Sequence, residues 1–155
     1  RQSLSHLGIK DKKLSHEVAD YYVAHSPYKT ALFPNAIDVL RELSSNYTLH
    51  IITNGFEEIQ AIKIENSGLN GFFEEIITSE QAGHKKPDPA IFRYSLDKTK
   101  ALAKESLMVG DNQLVDIEGA KKVGMDGILF NPEKEELIIN PTYEVNHLNE
   151  ILNIL

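Results

Sequence analysis

Apolar and polar positions along this chain follow two alternating periods. Short aliphatic runs, Leu49-His50-Ile51-Ile52, Glu75-Ile76-Ile77, Leu107-Met108-Val109 and Gly127-Ile128-Leu129-Phe130, read as buried parallel strands. Between them apolar residues recur every three to four positions, as on helices: Ile37, Leu40 and Leu43; Ile59 and Ile62; Ile91, Phe92 and Leu96; Leu114, Ile117 and Ala120. The punctuation agrees. Asn35 is placed to cap the first of these helices, Gly68 and Gly124 to stop the second and fourth, and Asp88-Pro89 to open the third. Upstream, Val18, Tyr21, Tyr22 and His25 cluster on one face of a helix predicted from about Ser15 and broken by Pro27. The tail offers a strand at Tyr143-Glu144-Val145 and a closing helix with Leu148, Ile151 and Leu152. Strands alternating with helices at this spacing predict an α/β fold, a parallel sheet with helices on both faces.

Composition narrows the function classes. The 155 residues carry 41% hydrophobic and 25% charged side chains, ordinary for a globular domain with a real core. The formal charge of −7, without a basic patch, argues against nucleic acid as a partner. No apolar run approaches a membrane span, so no membrane partner is expected. With no cysteine there is neither disulfide nor thiolate chemistry, and a cytoplasmic home is the expectation. His6, His16 and His25 lack ligand spacing with a supporting carboxylate and read as structural or solvated histidines.

Three stretches fall where a strand or loop hands over to a helix, the edge at which open α/β sheets bind ligands. Thr53-Asn54-Gly55 brings a hydroxyl and backbone amides to a helix start, which suits an anion; a plain capped turn is the simpler reading. Lys86, before Pro87-Asp88-Pro89, is placed to present its ammonium to the same anion, or else is a solvated loop residue. Asp111 ends the Leu107–Gly110 run and Asp116 lies one helical turn on, so that two carboxylates face the crevice as a hard cation such as Mg²⁺ requires; alternatively Asp111 or Asn112 merely caps a helix. Together they outline a phosphate-plus-metal pocket.

The ordered set Ile51-Ile52-Thr53-Asn54-Gly55, Gly83-His84-Lys85-Lys86-Pro87-Asp88-Pro89 and Gly110-Asp111-Asn112-Gln113-Leu114-Val115-Asp116 resembles motifs two, three and four of the haloacid dehalogenase-like (HAD) hydrolases. Phe56 and Gln60 after the first motif, and Asn131-Pro132 after the last core strand, are similar to the pyrimidine 5′-nucleotidase-like branch. The resemblance implies a three-layer, Rossmann-like core over residues 31–155, lacking its first strand, and the C-terminal part of a helical cap over residues 1–30. It implies a Mg²⁺-dependent phosphomonoester hydrolase working through an aspartyl-phosphate. Thr53, Asn54, Gly55 and Lys86 would hold the phosphoryl group, Thr53 and Lys86 as catalytic groups, and Asp111 and Asp116 would serve the metal. Asp116 is alternatively a support for Lys86. The substrate would be a small phosphorylated metabolite, with nucleoside monophosphates one candidate.

One family feature is missing. No Asp-x-Asp pair occurs in these residues, so the nucleophile is expected upstream of Arg1, on a central strand between the strands ending at Thr53 and Gly110. Without that strand both neighbouring edges stay unpaired, and the chain alone is expected to be inactive. Two other functions compete with the phosphatase: a non-catalytic phosphate- or metal-binding module that accepts a strand from a partner, and a metal-free haloacid dehalogenase. Gly110-Asp111 speaks against the last.

Overall fold

The computed structural model describes residues 8–155. His6 therefore lies outside the described residues. Helix α1 spans Lys12–His25, begun by Asp11, whose side chain accepts from the amides of Lys13 and Leu14. A 3₁₀ turn follows at Ser26–Tyr28, with Pro27 buried. Then come α2 (Ala36–Ser44), β1 (His50–Thr53), α3 (Glu57–Asn66), β2 (Glu75–Thr78), α4 (Ser79–Ala82) and α5 (Pro89–Thr99). After these follow β3 (Leu107–Gly110), a π-helical turn (Gln113–Ile117), α6 (Glu118–Lys121), β4 (Asp126–Phe130), β5 (Tyr143–Val145) and a 3₁₀ turn (Leu148–Asn153).

Among the described residues all strand pairs are parallel, and they form two separate ladders, β1-β2 and β3-β4-β5. The larger ladder is covered on both faces. Val39 and Leu43 of α2 pack with Ile128, Phe130, Val145 and Ile151 on one side. Ile91 and Phe92 of α5 pack with Met108, Ala120 and Met125 on the other, and Ile52 of β1 leans on this second cluster. Helices on both faces explain why β4 reads as an unbroken apolar run. Each fully buried side chain such as Ile128 or Phe92 contributes about 1.5–3 kcal/mol.

The observed elements follow the predicted ones closely, with three local corrections. Asn35 precedes α2 with a left-handed backbone (φ 64°) and makes no side-chain cap bond; the residue of α2 most deeply buried is Val39. The Tyr21, Tyr22 and Val18 face of α1 is exposed, because nothing among the described residues packs on it. The segment after β3 begins as a π-turn, which rotates Leu114 out to 50% exposure while Ile117 and Ala120 stay buried. Gly68 (φ 67°) and Gly124 (φ 88°) do end their helices in the left-handed conformation that favours glycine.

Among the described residues no strand lies between β1 and β3. The Glu74 amide donates to the Leu49 carbonyl, and the Asp126 amide to the Ser106 carbonyl. Bonding alternates along a parallel strand, so the peptide groups of Ile52 and Val109 turn toward the unpaired side. In hydrogen exchange on the 155-residue chain, Ile51 and Met108 amides are therefore expected to be protected, and Ile52 and Val109 amides to exchange faster. Equal protection of all four would show that both edges are paired in solution.

Candidate functional site

At the end of β1 the chain turns through Thr53-Asn54-Gly55-Phe56 into α3. The Gly55 amide donates to Thr53 Oγ1 at 3.1 Å. The hydroxyl oxygen is thereby used as an acceptor, and its proton is free to be donated outward. The turn rests on the end of β2, where Ser79 Oγ donates to the Asn54 carbonyl at 3.2 Å. The Glu57 amide, first in α3, donates to Glu80 Oε2 at 2.8 Å. Glu80 thus occupies part of the helix N-terminus that Thr53-Asn54-Gly55 was expected to offer an anion. Sequence reasoning missed this residue, since nothing in the spacing of Glu80 reports a partner 23 positions away.

The loop carrying Lys86 is built from its far end. Asp88 Oδ1 accepts from the Ala90 amide at 2.9 Å and starts α5, with Pro89 in its first turn, as predicted. That bond, with a smaller contribution from His84, holds the Asp88 carboxyl below its ordinary value of 3.8. A depressed acid stabilises the fold above its unfolded value, so this cap is lost only as pH falls below 3.8 and through the folded value. Pro87 sits against α6, where a Cβ on Gly119 would come 3.2 Å from Pro87 Cα. The Lys86 side chain then runs inward to a carboxylate.

Lys86 Nζ meets Asp116 Oδ1 at 2.6 Å, with side-chain exposures of 11% and 7%. The Asn112 amide donates to the other oxygen, Asp116 Oδ2, at 3.1 Å. Asp116, expected as a metal ligand or a support for Lys86, thus contacts Lys86 through one oxygen and the Asn112 amide through the other. Gly110 makes room for it, since a Cβ there would stand 2.7 Å from Asp116 Cγ and Oδ2. Asn112, not Asp111, caps the π-turn: its Oδ1 accepts from the amides of Leu114 at 3.2 Å and Val115 at 2.9 Å. Asp111 is left exposed at the end of β3, with no ion pair among the described residues.

Asn54 links the two halves. Its Nδ2 donates to the Lys86 carbonyl at 3.0 Å, and its Oδ1 accepts from the Lys86 amide at 2.7 Å. Thr53, Asn54, Lys86, Asp116, Asn112 and Asp111 therefore lie along one connected path across the strand ends. The site holds two donors for an anion: the Thr53 hydroxyl proton, and the ammonium protons of Lys86 that Asp116 does not use. One hard carboxylate, Asp111, stands free. Among the described residues no three of His, Cys, Asp or Glu gather into a metal-binding cluster. Magnesium needs no such cage, because it keeps several waters and binds through one or two carboxylates plus substrate phosphates; Asp111 fits that donor set.

Sequence reasoning also passed over Gln113. It is buried, donates to the Glu136 carbonyl at 2.9 Å and accepts from the Ile138 amide at 2.8 Å. It ties the loop after β4 to the turn beside Asp111. Asn131 holds the other end of that loop, donating to Glu135 O and Glu144 Oε1 and accepting from the Glu135 amide. Two surface depressions, one along Leu43, Tyr47 and Leu155 and one beside Phe33, Phe130 and His147, are not lined by Thr53, Lys86 or Asp111.

Comparison with known proteins points the same way. The family model described as haloacid dehalogenase-like hydrolase matches residues 1–130. The chain is similar to the pyrimidine 5′-nucleotidase PynA of Streptococcus pneumoniae, 32% identical over 155 residues, covering 97% of this chain and 65% of PynA. It is similar to the glyceraldehyde 3-phosphate phosphatase of Methanocaldococcus jannaschii, 31% identical over 156 residues, covering 96% of this chain and 67% of that protein. A solved structure of YfnB from Bacillus subtilis, named as a HAD-hydrolase and described as bound to magnesium, superposes with a TM-score of 0.88 at 30% identity. That match covers 97% of this chain and 66% of YfnB. The chain spans about half to two thirds of the length of the curated relatives it matches.

The packing of Asp116 against β3 can be tested by overfilling it. Gly110→Ala is expected to force the Asp116 carboxylate off its place and to destabilise the protein by about 1–3 kcal/mol in denaturant titration. Gly83→Ala, where a Cβ meets open space at φ 69°, serves as the comparison for backbone strain alone.

Proposed function

The chain belongs to the haloacid dehalogenase-like hydrolase family, and on that premise we propose that it acts as a Mg²⁺-dependent phosphomonoester hydrolase. The observation that carries this reading is the Lys86–Asp116 pair at 2.6 Å, held beside the Thr53 turn and next to the exposed Asp111. The substrate we propose is a small phosphorylated metabolite, with nucleoside monophosphates first among the candidates. The similarity to a nucleotidase and to a sugar-phosphate phosphatase supports the class.

In this reading an aspartate on a further strand, seated between β1 and β3, attacks phosphorus as the bond to the substrate's alcohol oxygen breaks and that oxygen takes up a proton; water then attacks the phosphorus of the aspartyl-phosphate, releasing inorganic phosphate and restoring the carboxylate. That aspartate is neither Asp111 nor Asp116, both of which lie after β3. Residues 1–30, of which 1–7 lie outside the described residues, are assigned in this reading to the C-terminal part of a helical cap, and residues 31–155 to the core. Phosphoryl transfer requires little of the protein beyond positioning and charge. Thr53 donates its hydroxyl proton to a phosphoryl oxygen, with the Asn54 and Gly55 backbone forming the turn around it. Lys86 offsets the negative charge that the carboxylate and the phosphoryl group bring together, while Asp116 keeps the ammonium aimed. Asp111 would hold Mg²⁺, which supplies further positive charge against the phosphoryl oxygens. Among the described residues no helix is long and apolar enough to cross a membrane.

The test uses the protein as its gene encodes it. Mg²⁺-dependent release of p-nitrophenol from p-nitrophenyl phosphate is expected, with nucleoside monophosphates as competing substrates. Asp111→Asn is expected to lose the response to Mg²⁺ and about 10²–10³-fold in kcat, and Lys86→Ala a similar factor in kcat while Mg²⁺ binding by calorimetry persists. Undiminished turnover in Asp111→Asn would remove the metal role. Phosphate and Mg²⁺ binding without any turnover would select the non-catalytic module. Metal-independent halide release from a 2-haloacid would select the dehalogenase.

A further inference from the structure

We propose that Asn54 is a positioning residue that sets the Lys86 ammonium against the Thr53 turn, and that its side chain is not itself a phosphate ligand. The inference rests on the phosphatase reading for its consequence, though not for its geometry. Both polar atoms of the carboxamide are committed to one residue 32 positions away: Nδ2 to the Lys86 carbonyl at 3.0 Å and Oδ1 to the Lys86 amide at 2.7 Å. An asparagine that merely shaped its turn would bond to backbone two residues on. Asn54 instead completes the main chain of another loop.

Among the described residues no other hydrogen bond ties that loop to β1 or its turn. Among the described residues, the Lys86 amide and carbonyl make no backbone hydrogen bond, and β1 and β3 are not paired with each other. Downstream, Lys86 is restrained from the side of α5 and the larger ladder, by the Asp88 cap, Pro87 against Gly119 and Asp116 on the ammonium; upstream, the loop leaves α4, where Ser79 Oγ donates to the Asn54 carbonyl. Thr53, by contrast, belongs to the smaller ladder. Asn54 is thus the direct polar link between the Thr53 turn and the Lys86 backbone. The residue type follows from the same geometry. Lys86 presents one donor and one acceptor, and a carboxamide complements both, whereas a carboxylate would set an oxygen against the Lys86 carbonyl. Misplacing a transition-state group by about 1 Å can cost about 10²-fold in rate.

The experiment uses the protein as its gene encodes it and reads two quantities. The first is a double-mutant cycle in kcat for p-nitrophenyl phosphate. Asn54→Ala is expected to lower kcat by about 10²-fold, with the Mg²⁺ half-saturation unchanged, and Asn54→Ala/Lys86→Ala to be no slower than Lys86→Ala alone. The second is independent of turnover: the rate of reductive methylation at Lys86, read by peptide mass spectrometry against its exposed neighbour Lys85. Asn54→Ala is expected to raise the Lys86 rate several-fold relative to Lys85, because the ammonium leaves Asp116 more often. Asn54→Asp, close in size, gives the same two readouts if the alanine variant does not fold. Losses that multiply in the double mutant, or a Lys86 rate unchanged relative to Lys85, would overturn the proposal. Faster methylation in a protein that hydrolyses no phosphomonoester would uphold the positioning and remove the phosphatase reading.

Discussion

The arrangement of this molecule depends on placing a nearly buried ammonium opposite a nearly buried carboxylate. Lys86 and Asp116 retain 11% and 7% exposure and meet at 2.6 Å. Desolvating two charges costs several kcal/mol per ion before their attraction repays it, so neither can be buried without the other. The surrounding residues answer to that requirement. Gly110 leaves the volume that the Asp116 carboxylate fills, the Asn112 amide satisfies its second oxygen, and Gly119 lets α6 close on Pro87. Gly110, Asn112, Asp116 and Gly119 lie within one ten-residue stretch, which faces the loop of Lys86 and Pro87.

The pair also explains how two parallel ladders act as one site. β1-β2 and β3-β4-β5 share no strand-to-strand bond among the described residues. Packing joins them, through α5 and through Ile52 against the cluster of Phe92 and Met108. Polar contact joins them at the strand ends, from the Thr53 turn through Asn54 to Lys86 and from Lys86 to Asp116. The consequence is a chemical division. Anion donors sit on the Thr53 turn and the Lys86 loop, while the free carboxylate of Asp111 sits at the end of β3. In the proposed function, a phosphoryl group with its cation would span that division.

Asp116 shows how a carboxylate close to a candidate metal site is also held by the protein's own groups. Its spacing from Asp111 suits two carboxylates facing one ion. In the fold its oxygens are already engaged, one by a cation and one by a backbone amide. Glu80 at the start of α3 makes the parallel point for anions, since a protein carboxylate takes part of a helix N-terminus that looks open in the sequence.

Much of this was determined by the sequence alone. The aliphatic runs at Ile51-Ile52, Ile76-Ile77, Met108-Val109 and Ile128-Leu129 are strands, and the Asp88-Pro89 start and the Gly68 and Gly124 stops fall where local backbone chemistry puts them. These are decisions made within a few residues, so a one-dimensional pattern can carry them. Thr53, Lys86 and Asp111 were likewise marked by their positions at strand and loop ends. What the sequence did not determine is which side chains are spent on one another. That Asn54 holds Lys86, that Asn112 rather than Asp111 caps the turn, that Gln113 secures a loop beyond β4, and that Leu114 faces outward depend on contacts between distant segments or on a π-turn set by packing. A hydrogen bond across 32 residues leaves no period in the chain; only the folded arrangement brings its donor and acceptor to 3 Å.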